Sequence, residues 1–134
     1  MIYMLDTNIL IYLMKNKPIT VAERIAKLNS QDQLVMSFVT YAELLKGANG
    51  SNNPERALAT IARLLQRISV LYPNAKTCEY YGEWANKLKR QGTQIGGNDL
   101  WIACHALSCN AILVTHNIKE FKRISVLNWQ DWAE

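Results

Sequence analysis

Three carboxylates in this chain stand where an alternating strand-and-helix fold could gather them. Asp6 directly follows an apolar run, Glu43 lies a helical turn beyond a second such run, and Asp99 opens a helical stretch. Two carboxylates about 4 Å apart repel by roughly 4 kcal/mol at an effective dielectric of about 20. A cluster of three therefore raises its own pKa values or takes up a cation that cancels the repulsion. Oxygen ligands without His or Cys suit a hard ion, Mg²⁺ or Mn²⁺, and disfavour zinc. Such an ion, with water as the nucleophile, is equipped to hydrolyse a phosphodiester: it activates the water, neutralises the phosphate and stabilises the leaving oxygen.

Each carboxylate also has a purely structural explanation. Asp6, with Thr7 and Asn8, has the residue types that cap a following helix. Thr40-Tyr41-Ala42-Glu43 has capping-box spacing, in which Glu43 bonds back to the backbone of Thr40. Asp99 sits at a helix start, where the helix dipole favours negative charge. Taken singly, the structural explanation outweighs the chemical one for each. Only their combination points to a site.

The elements that would position them follow from periodicity and punctuation. Ile2-Tyr3-Met4-Leu5 reads as a short buried strand, and Ile9 to Lys15 as a helical segment closed before Pro18. Thr20 to Glu23 has capping-box spacing and opens a helix through Leu28. Leu34 to Phe38 is a second strand, followed by a helix from Thr40 to about Lys46 that ends near Gly47 or Gly50. Pro54 suits the first residue of a helix reaching about Arg67, and Ile68 to Leu71 is a third strand. Asn74 to Arg90 is a longer helix with an apolar stripe of Cys78, Tyr81, Ala85 and Leu88. Asn98 to Cys109 is apolar almost all round, which predicts a buried helix closed by Asn110 in a left-handed conformation. Ala111 to Thr115 is the fourth strand, and Ser125 to Trp129 a fifth.

Short strands alternating with helices imply a parallel sheet covered on both faces. Sites in such sheets form beyond the carboxyl ends of the strands. Asp6, Glu43 and Asn117 all fall there, and Asp99 opens the helix that leads into the fourth strand. The absence of repeats or linkers predicts one domain over residues 1–134.

The ordered segments Leu5-Asp6-Thr7-Asn8, Ser37 through Gly47, Asn98 through Ala103, and Val114-Thr115-His116-Asn117 with Phe121 closely resemble the motifs of the PIN-domain family, and within it the VapC toxins. The likeness runs over essentially the whole chain. It implies a three-layer α/β/α sandwich with a central parallel sheet, and a toxic Mg²⁺-dependent endoribonuclease, with Mn²⁺ as a possible substitute. Carried over, Asp6, Glu43 and Asp99 are the metal-binding carboxylates. Asn8 and Thr115 are the groups that orient them. Many relatives carry a fourth acidic residue after the last core strand. The resemblance puts Asn117 in that place, which weakens the case for a second tightly bound metal. It further implies an RNA substrate (tRNA or another structured RNA), a cognate VapB-like antitoxin, and a homodimer within a toxin–antitoxin complex. Lys46, Lys119, Lys122 and Arg123 are candidate contacts to RNA phosphates, with a solvated basic surface as the competing reading.

Composition constrains the rest. Of 134 residues, 49% are hydrophobic and 19% charged, an ordinary globular balance that excludes disorder. The net charge of +4 favours a polyanion without demanding one. Cys78, Cys104 and Cys109 are odd in number and form no CxxC pair, which predicts a reduced, cytoplasmic protein with small core cysteines. The apolar N-terminal run has Asp6 in its middle and no basic leader, unlike a signal peptide or membrane span. His105 reads as a hydrogen-bonded core residue and His116 as a neighbour of the site. Tyr80, Tyr81 and Trp84 read as packing, and Trp129 and Trp132 as anchors of the C-terminus.

Two other functions fit parts of the pattern. A haloacid-dehalogenase-like phosphatase would use Asp6 as nucleophile, but it needs a second Asp where Asn8 stands. A catalytically inactive RNA- or partner-binding module would not need three intact carboxylates.

Overall fold

The computed structural model describes all 134 residues. Strands β1 (Ile2–Leu5), β2 (Gln33–Ser37), β3 (Ser69–Leu71), β4 (Ile112–Val114) and β5 (Trp129–Gln130) form one sheet in the order β3-β2-β1-β4-β5. Every pairing in it is parallel. Helices α1 (Thr7–Lys15), α2 (Thr20–Ala26), α3 (Phe38–Asn49) and α4 (Pro54–Leu64) cover one face. Helices α5 (Ala75–Gln91), α6 (Gly97–Ser108) and α7 (Ile118–Phe121) cover the other. The result is the three-layer α/β/α sandwich that the alternating pattern predicts.

Neighbouring strand residues point to opposite faces, and each face has its own core. Met4, Val35 and Leu113 pack against Trp84, Leu88, Ile102 and Phe121. Leu5, Met36 and Val114 pack against Ile9, Leu10, Leu44, Ile61 and Trp132. The α6 helix is buried through Leu100, Ile102, Ala103, Cys104, His105 and Ala106, as its all-round apolarity predicts. Asn110 does take a left-handed conformation, with φ 53°.

Local capping moves several boundaries. The Ser37 hydroxyl accepts from the Val39 N–H and starts α3 ahead of the predicted Thr40, so Phe38 is helical and not the end of a strand. Thr40 is then inside the helix, and its capping box with Glu43 does not form. The Thr20–Glu23 box fails for a related reason: Ile19 is the cap residue and Thr20 is already helical. A capping box closes instead at α5, between Asn74 and Thr77. That helix buries Thr77, Trp84 and Leu88, and Tyr81 and Ala85 pack part-buried against the same core, so of the predicted stripe only Cys78 is exposed. Cys104 is buried as expected, and burial pushes its thiol up to about 12. The fifth strand is Trp129–Gln130, set by pairing with Leu113 and Val114, while Ser125 and Val126 lie in a turn.

Candidate active site

The order of the sheet reverses at β1. Strand β2 lies on one side of it and β4 on the other, which opens a crevice beyond its carboxyl end. Asp6 leaves β1 at that point and caps α1, its Oδ1 accepting from the Ile9 N–H at 3.1 Å. Glu43 comes from α3, one turn past its start at the end of β2. Asp99 lies in the first turn of α6, and Asn117 caps α7 just after β4. Asp6, Thr7, Asn8, Glu43, Asp99, Ile102 and Asn117 line one cleft of about 140 Å³. All three predicted carboxylates therefore face a shared space.

Their environment is electrostatically tense. Asp6 is only 5% exposed, and burial pushes its carboxyl up to about 6 against the pull of Thr115 and the Ile9 N–H. Asp99 is raised as well, first by burial and then by the negative charges of Glu120 and Glu43, while Asn117 pulls it down. The Asn117 amide donates to Asp99 Oδ2 at 3.1 Å, and the Thr115 hydroxyl accepts from the Asn117 N–H at 2.9 Å. Asn8 lines the cleft but makes no side-chain hydrogen bond to a carboxylate. Thr7 does: its hydroxyl donates to Glu43 Oε1 at 2.5 Å, and the Asn98 amide donates to Glu43 Oε2 at 3.4 Å.

Glu120 is the residue that sequence reasoning passed over. It lies on α7, a turn beyond Asn117, and its charge is the second-largest cause that raises Asp99. Its Oε2 is buried and accepts no hydrogen bond. Glu120 does not itself line the cleft, but its charge is near enough to raise Asp99. The available signal was the helical spacing from Asn117 to Glu120 in Asn117-Ile118-Lys119-Glu120.

A divalent ion fits these residues. The buried Asp6 and the part-buried Asp99 both have raised pKa values, and no Lys or Arg lines the cleft to offset their charge. The donors are oxygens, as Mg²⁺ and Mn²⁺ prefer.

The other candidates separate. Lys46 lines an adjoining cleft of about 480 Å³ with Phe38, Ala42, Glu43, Asn98 and Trp101. Lys119 and Lys122 are exposed on and just after α7. Arg123 is engaged elsewhere, its Nη1 donating to the Gln94 carbonyl at 2.8 Å and lying 3.9 Å from Glu120. His105 is a core residue bonded through Nδ1 to Ser37 Oγ at 2.8 Å, and burial lowers its pKa. His116 is exposed and held by Asp131 at 2.8 Å. Tyr81 stacks on Trp101 with ring centroids 3.9 Å apart, and Trp84 is in the core. No helix is long and apolar enough to cross a membrane.

The PIN domain family model matches residues 3–127. The chain is 63% identical to Ribonuclease VapC1 of Haemophilus influenzae strain R2866, with both chains covered in full. It is 44% identical to the tRNA(fMet)-specific endonuclease VapC of Shigella flexneri over 98% of each. Among solved structures, VapBC-1 from nontypeable H. influenzae superposes with a TM-score of 0.95 at 63% identity over 100% of both chains. VapBC2 from Rickettsia felis, bound to a DNA fragment from its promoter, gives 0.93 at 39% identity, covering 98% of this chain and 99% of that one. A haloacid-dehalogenase-like identity is thereby set aside. The strand order, the acid-lined cleft at its reversal and these likenesses converge: the chain belongs to the PIN-domain family, in its VapC branch.

Proposed function

We propose that this protein is a metal-dependent endoribonuclease, the toxin of a toxin–antitoxin pair, and that Asp6, Glu43 and Asp99 hold its Mg²⁺. The observation that carries this reading is the shared cleft, where burial raises two of these carboxylates and no basic side chain offsets them. Mg²⁺ bound there would supply Lewis-acid chemistry at the scissile phosphate, with Mn²⁺ an expected substitute. Asp6 and Asp99 would bind the ion directly in this reading, with Glu43 completing the set, and Glu120 is a further acid near Asp99. Asn117 and Thr115 fix the Asp99 side of the cleft through their hydrogen bonds. Lys46, Lys119 and Lys122 are free to meet RNA phosphates, and Arg123 less so because it is already bonded to Gln94.

The substrate class follows from the relatives: several are ribonucleases, and the S. flexneri protein is a tRNA(fMet)-specific endonuclease. An RNA, with tRNA as the leading class, is the proposed substrate. An antitoxin partner and a homodimeric assembly follow from the VapBC likeness. A part-apolar groove of about 520 Å³ between α1, α3 and α4, lined by Ile11, Met14, Leu44 and Ile61, also reaches Glu43. An antitoxin segment seated there would cover the site.

Asp6→Asn and Asp99→Asn should each abolish Mg²⁺-dependent RNA cleavage by purified protein while leaving the circular dichroism spectrum unchanged. EDTA should do the same to the native chain. Cleavage by either variant at the native rate would defeat the assignment. A native chain that binds RNA but neither Mg²⁺ nor Mn²⁺ would favour the inactive binding module.

A further inference from the structure

Glu43 is tied at both of its oxygens, each by the side chain of a different helix. Thr7, the first residue of α1, donates to Oε1 at 2.5 Å. Asn98, in the first turn of α6, donates to Oε2 at 3.4 Å. The two donors flank the other carboxylates in sequence, Thr7 following Asp6 and Asn98 preceding Asp99. Thr7 is itself constrained: it is β-branched and helical, and the buried Thr40 hydroxyl lies 3.4 Å from its own.

A free glutamate side chain samples many rotamers, and fixing it costs conformational entropy at the moment of binding. Two hydrogen bonds remove that cost in advance. Lys or Arg would orient the carboxylate equally well but would cancel its charge and compete with a cation. A hydroxyl and an amide orient it and leave the charge in place.

We propose that Thr7 and Asn98 form a neutral clamp on Glu43, acting as positioning residues that set its orientation toward a divalent ion shared with Asp6 and Asp99. The clamp rests on the nuclease reading above. It assigns to Thr7 and Asn98 an orienting role of the kind that the family resemblance implies for Asn8 and Thr115.

The test uses the full-length protein, Thr7→Val, Thr7→Ser and Asn98→Ala, with Asp6→Asn as reference. Mn²⁺ affinity is measured by calorimetry without RNA, and cleavage by single-turnover kinetics. Valine keeps the branching and nearly the volume but lacks the donor; serine keeps the donor. Thr7→Val should weaken Mn²⁺ binding by about ten-fold or more and lower the cleavage rate with RNA KM unchanged, as loss of an orienting hydrogen bond does elsewhere. Thr7→Ser should restore both. Asn98→Ala, a change at an exposed side chain with little risk to the fold, should weaken Mn²⁺ binding in the same direction by less, since its bond is longer. Native Mn²⁺ affinity in both Thr7→Val and Asn98→Ala would overturn the clamp while leaving the nuclease reading intact. Equal losses in Thr7→Ser and Thr7→Val would overturn it too, since packing and not the donor would then be at work. Absence of Mn²⁺ binding by the native chain would instead overturn the nuclease reading, and the clamp with it.

Discussion

Asp6 carries two duties that pull in opposite directions. As a cap it accepts the Ile9 N–H, and as a buried acid it has a carboxyl pushed up to about 6 from 3.8. Raising an acid's folded pKa means that its contribution to stability is fully present below pH about 4 and is lost as pH rises through about 6. The shift corresponds to about 3 kcal/mol. Asparagine caps as well as aspartate and never ionises. Metal-free Asp6→Asn should therefore be more stable than the native chain at pH 7.5, by on the order of 1–3 kcal/mol, and close to it near pH 3.5. Urea unfolding in EDTA at the two pH values checks this. A variant less stable at pH 7.5 would show that the cap matters more than the buried charge. Combined with loss of cleavage, the expected gain would mark Asp6 as kept for chemistry at a cost to the fold.

At the scale of elements, most of the architecture was legible in the sequence because strands and helices announce themselves by period and by punctuation. Pro54, Gly96 and Asn110 mark boundaries at or next to where the structure has them. Illegible were the choices among competing caps. Thr40 and Thr20 both had capping-box spacing, yet Ser37, the last residue of β2, and Ile19 took the cap positions, so α3 starts directly from the strand end. That choice decides the meaning of Glu43, which is freed from backbone capping to face the cleft. Asp6 and Asp99 were readable from their places after a strand and at a helix start. Thr7 and Glu120 were not, since their roles depend on contacts between elements that no local pattern encodes. Ser37 joins two elements, capping α3 and bonding His105 of α6. Ser37→Ala should cost on the order of 2 kcal/mol, the sum of a lost cap and a buried hydrogen bond, read as a lower urea midpoint. A loss within experimental error would mean that α3 recruits another cap.

The whole molecule is held by two cores on opposite faces of one sheet, and its C-terminal segment belongs to the first of its helical layers. Trp132 is 1% exposed, packs on Tyr3 with ring centroids 5.3 Å apart, and lies under Arg24 at 5.9 Å. Trp132→Ala should cost on the order of 3–5 kcal/mol in urea unfolding. A smaller loss would mean that the segment beyond β5 is an appendage and not part of the core. Trp129, at the surface with 36% exposure, does little of this anchoring.

The sheet's central strand, β1, pairs with a strand from far along the sequence, Tyr3 lying opposite Ile112 of β4. Pairings between such distant segments form late in folding. A polypeptide that stops short of β4 therefore has no assembled crevice between β1 and β4, and the proposed attack on RNA must wait until that strand is made.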